Sequence, residues 1–186
     1  MSFAHDTVLE LRAAVALVNS GEPPETLATV ADLDAFFRDH DYTGRHDRTA
    51  AELEQVRALR PRLRELLLAD RDRAAALVNE LLDDETLAGV RVRPRLVRHS
   101  GEDWHVHATP DDAPFAARVA VETAMAMIDV IRDDEHSRLA VCADDDCRGI
   151  VLDLSRNRSR RYCSTACTNR NAQAAYRARV AGGRRG

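Results

Sequence analysis

The chain has 186 residues, enough for one ordinary domain and a small appended one. It is 45% hydrophobic but only 4% aromatic, so a core has to be built mostly from Leu, Val and Ala. All 27 basic residues are arginine, and the net charge of -4 is unevenly divided. Residues 148–186 hold ten arginines and one acid, Asp153, a charge of +9, whereas residues 1–147 hold seventeen arginines and thirty acids, a charge of -13. An acidic body with a basic tail points to an anionic partner for the tail, or to a tail that pairs with its own body.

The opening residues lack a basic start, and Glu10 and Arg12 interrupt their apolar stretch, so no targeting segment is expected. The most apolar run, residues 119–131, is broken by Glu122, Thr123 and Asp129 and is too short and polar to span a bilayer. The expectation is a cytoplasmic protein with reduced thiols.

In chain order, a first helix is predicted over residues 8–19, with Leu9, Val15, Leu17 and Val18 inward, ended by Gly21-Glu22-Pro23-Pro24. A short helix fits residues 31–38, with Leu33, Phe36 and Phe37 turned inward, and residues 38–48 read as a polar loop. Thr49 and Glu52 form a capping box ahead of Leu53, Val56, Leu59, Leu63, Leu66 and Leu67, one apolar helix face that Pro61 should divide near Arg60. A helix over residues 70–82 follows through Ala74, Leu77, Val78 and Leu81.

The period then changes. Val90, Val92, Leu96 and Val97, then Trp104, Val106 and Ala108, read as a hairpin at about 90–109 turning through Ser100-Gly101-Glu102, with Pro94 implying an edge or a bulge. The longest predicted helix covers residues 113–136, with Pro114 in its first turn and Asp111 or Asp112 as cap. Its apolar residues cover most of its circumference, so it should be the central helix of the body. The composition shifts near residues 137–141, which sets the expected domains at 1–137 and 138–186.

All four cysteines fall in the second part. Four residues separate Cys142 from Cys147, three separate Cys163 from Cys167, and fifteen lie between the pairs. Two such pairs, with room for a returning hairpin through Ile150, Val151 and Leu152, suit one tetrahedral four-thiolate zinc ion. Such a site has no open coordination position and is structural. An alanine-rich helix over residues 164–180 would bring its positive end to the thiolates. A knuckle, a hairpin and a ligand-bearing helix describe a treble-clef-like finger. The fold class expected is therefore mainly α with a small β-hairpin, a helical body followed by that finger.

Arginines crowd the ligands. Arg156, Arg158, Arg160 and Arg161 alternate with Ser155, Asn157 and Ser159, a pattern able to hold phosphates. On the last helix, Arg170 and Arg177 share a face with Gln173, while Ala174 and Ala178 can pack on the finger core. One or two arginines should instead neutralise the thiolate cluster.

The stretch from Leu152 through Asp153, Leu154, Ser155, Arg156 and Asn157 to Tyr162 and Cys163 resembles the signature of CGNR zinc-finger proteins, and the upstream body resembles the ABATE domain that accompanies that finger. The resemblance runs over residues 9–179. It implies a bacterial, stress-related transcriptional regulator with a zinc-binding finger. The naming motif aligns with Cys167-Thr168-Asn169-Arg170, which carries Asn169 and Arg170 over directly. Thr168 stands where the family has glycine, and many members have four residues between the last two cysteines where this chain has three. A helix tolerates Thr168, so the ligands are expected to survive.

His105 and His107, two apart on a strand, read as the solvated face of a sheet. The acidic runs Asp83-Asp84-Glu85, Asp133-Asp134-Glu135 and Asp144-Asp145-Asp146 read as solvated charge at element ends. There is no phosphate-cradling glycine loop, nucleophile elbow or HExxH, so no enzyme is expected. The leading expectation is a DNA-binding regulator whose body senses a signal or dimerises. The alternative is a protein-interaction module with the finger as a structural staple. An RNA binder ranks third, because only Tyr162 and Tyr176 could stack on bases. A homodimer through the body and a small-molecule effector of it stay open, and no membrane partner is expected.

Overall fold

Leucine spacing and three breaks in it determine the helices of the body. The computed structural model describes residues 3–83, 92–98 and 104–183. It divides the chain into two units, Met1–Ser137 and Arg138–Gly186.

The first unit contains α1 (His5–Asn19), α2 (Val30–Asp39), α3 (Ala50–Ala58), α4 (Arg60–Leu68), α5 (Arg71–Leu82), β1 (Arg95–Val97), β2 (His105–His107) and α6 (Phe115–Arg132). Helix α6 is central, with α1, α3, α4 and α5 packed on it. Phe115, Val119, Met127 and Val130 of α6 meet Leu11, Leu17, Val56, Leu63, Leu66 and Leu77, all buried. Each such side chain stabilises the fold by about 1.5–3 kcal/mol. Pro61 sits in the first turn of α4 and splits α3 from α4 at Leu59, as the sequence predicts.

The few aromatics are gathered in one place. Phe36, Phe37, Tyr42, His46 and Phe115 form a contiguous cluster in which His46 lies flat on Phe37, centroids 4.5 Å apart. The segment read as a polar loop therefore delivers two rings to the core. It can do so because α2 ends without glycine. Asp41 takes the left-handed conformation, and the N–H of Tyr42 donates to the Phe37 carbonyl at 3.0 Å. Buried Glu52 closes the loop by accepting the N–H groups of Asp47 and Arg48 and by bonding a ring nitrogen of His46. That corrects the expected capping box. Thr49 caps α3 by accepting from the Glu52 N–H at 3.1 Å, but the Glu52 carboxylate serves the loop instead. The full box lies at Thr29 and Asp32.

Further differences concern the ends of α6 and its length. Pro114 is its N-cap rather than a first-turn residue, and no side chain caps it. Asp111, expected as a cap, uses its carbonyl to accept the Arg45 N–H at 2.7 Å. The helix stops at Arg132, where Asp134 adopts the left-handed conformation and Glu135 N–H returns to the Val130 carbonyl. It is thus one residue shorter than the C-terminal helix.

Strands β1 and β2 pair antiparallel with Leu96 opposite Val106. Pro94 precedes the pairing, where its missing N–H costs nothing. Val90 and the expected turn at Ser100, Gly101 and Glu102 lie outside the described residues. Among the described residues no helix is long and apolar enough to cross a membrane.

The second unit holds β3 (Leu139–Val141), β4 (Ile150–Leu152) and α7 (Thr165–Gly183). The protein is mainly α with two small antiparallel strand pairs and a four-cysteine cluster at its C-terminal end.

Candidate metal centre and nucleic-acid interface

Antiparallel pairing of β3 with β4, Val141 opposite Ile150, places Cys142 at the mouth of the hairpin. Its N–H donates to the Gly149 carbonyl at 2.7 Å. The turn between the strands carries Cys147, whose sulfur accepts the Gly149 N–H at 3.3 Å. After β4 the chain loops back, and the Cys163 N–H donates to the Cys142 sulfur at 3.4 Å. Ser164 then caps α7, its hydroxyl accepting the Cys167 N–H at 3.2 Å. Cys167 is consequently held in the first turn.

The four sulfurs lie within 4.8 Å of one another. Cys147 and Cys163 are 3.6 Å apart, Cys163 and Cys167 3.8 Å. A tetrahedral ion with metal–sulfur bonds of about 2.3 Å requires sulfurs about 3.8 Å apart, so the cage fits one zinc. None of the cysteines is in a disulfide. Burial raises the Cys147 and Cys163 thiols above the ordinary thiol range, and the adjacent sulfurs raise Cys163 further. A dication joined to the sulfurs would favour their thiolate form. Val151 and Tyr162 supply the remaining apolar contacts of this small core.

Several supporting residues have no counterpart among the sequence expectations. Asp144, read as solvated, is buried and accepts Arg170 Nε at 2.8 Å and Asn171 Nδ2 at 2.8 Å. Asn171 also donates to the Cys167 carbonyl, and an Arg170 Nη donates to the Cys167 sulfur at 3.3 Å. Arg170 therefore neutralises the thiolate cluster and braces its ligand helix. Asp145 and Asp146 are exposed, as the solvated reading of that run expects, and the Asp146 N–H donates to the Asp144 carboxylate at 3.1 Å. The position of Asp144 two residues after a ligand is the signal the sequence offers.

Asp153 is the second hub. Buried at the end of β4, it accepts the N–H of Ser155 at 2.8 Å and of Arg160 at 2.7 Å. Despite burial, the Ser155 hydroxyl and these N–H groups hold its carboxyl below the ordinary range. Buried Arg138 donates to the carbonyls of Asp153 and Ser155. The segment between, residues 155–161, is thereby fixed as a loop, with Arg158 in a left-handed conformation. The spacing of Asp153 and Ser155 is that of an Asx-turn, a signal present in the sequence.

Arg156, Arg158, Arg160 and Arg161 are all exposed on this loop. Arg160 also donates to the Tyr162 and Cys163 carbonyls. On α7, Asn169, Gln173 and Arg177 are exposed and four residues apart, on one helix face. Thr168 is exposed too, its hydroxyl bonded to the Ser164 carbonyl, which is how the helix takes threonine there. Ala174 and Ala178 do not pack on the finger core. Both are exposed, because the core reaches only one turn beyond Cys167 and Asn171 is its last contact.

Two family models match the chain. Residues 11–134 match ABATE, described as "Putative stress-induced transcription regulator", and residues 138–180 match the CGNR zinc finger. A comparison with curated proteins gives no match.

Proposed function

The chain belongs to the ABATE family and carries a CGNR zinc finger; from that premise we propose that it is a zinc-dependent transcriptional regulator whose finger contacts DNA. One structural zinc ion, held by Cys142, Cys147, Cys163 and Cys167, sets the position of the arginine loop and of α7. The observation that carries the reading is the pinned loop at residues 155–161. It presents four guanidinium groups from a backbone fixed by Asp153 and Arg138. A preorganised loop loses little conformational entropy on meeting phosphates. Arg156, Arg158 and Arg161 take the phosphates, and Asn169, Gln173 and Arg177 offer one helix face to a groove. Arg170 acts by positioning that helix. Because four thiolates complete the zinc coordination, the ion performs no catalysis, and the protein is read as a non-enzyme. The helical body serves as sensor or dimerisation unit.

A second reading, a protein-interaction module stapled by zinc, is favoured by Tyr176 and Val180, large apolar residues exposed four apart on α7. Both readings require zinc, so metal analysis of the purified chain comes first, with one zinc per chain expected. Anisotropy with a labelled mixed-sequence duplex then separates them. Binding at low salt supports the DNA reading. Absence of binding by zinc-loaded protein at low salt overturns it in favour of the second.

A further inference from the structure

A cavity of about 210 Å³ opens in the helical body between the first turns of α1, one face of α6 and strand β2. Its walls carry four carboxylates, Asp6, Glu10, Glu122 and Asp129, against one arginine, Arg132. Between them the surface is apolar, formed chiefly by Val106, Met125 and Ile128. The strand alternation puts His107 on a solvated face; in the structure it borders this cavity instead.

The carboxylates are not equivalent. Asp129 accepts the Thr7 hydroxyl at 2.5 Å, and Asp6 accepts the Thr7 N–H at 2.9 Å. Glu10 has only a long bond from the Tyr42 hydroxyl, 3.4 Å. Glu122 makes no hydrogen bond or ion pair with any described residue. The cation that acts on it through space, Arg118, lies over the Phe37 and Phe115 rings and donates to the Arg45 carbonyl. Glu10 and Glu122 are half-buried, and both line the cavity. Burying an unpartnered carboxylate is costly unless something completes it. A metal ion does not fit, since among the described residues only the four cysteines bring three or more ligand atoms together. The volume is below the ~300–1,000 Å³ of pockets for drug-sized ligands, which limits the occupant to a small molecule.

We propose that this cavity binds a small organic cation, an ammonium or amidinium group on a short apolar body, with Glu10 and Glu122 receiving the charge and Val106, Met125 and Ile128 the hydrocarbon. Burial holds both carboxyls above their ordinary range, Glu122 at about 7, and a bound cation would return them to the ionised form. The proposal deepens the sensor role given to the body and rests on it for its meaning. Occupancy is read independently of DNA binding, so either can fail alone.

The test uses the full zinc-loaded chain with methyl-labelled methionine, titrated with n-butylammonium and, separately, 1-butanol. Met125 lines the cavity, whereas Met127, fully buried and not among its walls, reports the fold. The expected result is a saturable shift of the Met125 methyl with n-butylammonium. Binding of 1-butanol should be weaker by about tenfold or more. Glu122→Gln and Glu10→Gln should each weaken the ammonium by a similar factor with the Met127 signal in place. Both remove a buried charge without changing shape, and if one fails to fold the other carries the comparison. An unmoved Met125 up to about 50 mM ligand, equal binding of alcohol and ammonium, or undiminished binding by the variants overturns the proposal.

Discussion

Two acids with opposite environments decide what happens around them. Asp144 is buried with partners, and the Arg170 guanidinium beside it holds its carboxyl below the usual range. It orients α7 from behind Cys167, as partners outside a metal's own ligands often do. Asp144→Ala should therefore weaken zinc binding by about 10–100-fold in competition with a chromophoric chelator, and unchanged affinity would refute that role. Glu122 is half-buried, and Arg118 acts on it only through space. Its carboxyl sits at about 7 against an ordinary 4.5, so folding takes up a proton. Stability should fall as pH rises from 4.5 through 7 and then level off. Glu122→Gln should have a higher urea midpoint than the parent at about pH 8 and little advantage at about pH 5. A variant no more stable than the parent under the alkaline condition would contradict this. The role of Glu122 is not legible in the sequence, where it is one acid on a helix, and that of Asp144 is hinted at only by its place two residues after Cys142. The four cysteines are legible, because pairs at that spacing have few other physical uses.

At the scale of elements, the helices follow from leucine spacing and from Pro61, and their extents differ from the sequence expectation by a few residues at most ends. What the pattern does not disclose is how the helices stop. Asp41 and Asp134 take left-handed conformations that glycine usually fills, so the ends of α2 and α6 carry no recognisable signal. The loop after α2 escapes the sequence for the same reason. Its polar composition hides Tyr42 and His46, which reach the core only because Asp41 turns the chain. Gly44 is a tight point of that loop. At φ 82° a Cβ there would lie 2.6 Å from the Asp111 carbonyl oxygen and 2.7 Å from an Arg118 nitrogen. Gly44→Ala should destabilise the body by about 1–3 kcal/mol in denaturant titration, while a neutral effect would mean the loop is not anchored as described.

For the molecule as a whole, the two units draw on different sources of stability. The body has an extended core of leucine, valine and alanine. The finger's own cluster is four sulfurs, Val151 and Tyr162, so a bound zinc would supply much of its stability. Chelation should unfold the finger, seen as loss of α7 helicity by circular dichroism, and leave the main thermal transition of the body in place. Loss of both together would show that the body also needs the ion. Four of the ten arginines of residues 148–186 stand on the loop that the family resemblance singles out. The most direct test is the salt dependence of DNA binding by zinc-loaded protein, parent against the Arg156→Ala, Arg158→Ala, Arg161→Ala triple variant. Every phosphate that an arginine no longer neutralises should reduce the slope of log K against log salt by about 0.9, so the variant's slope should be shallower by nearly three. An unchanged slope would place any DNA contact elsewhere and contradict the account.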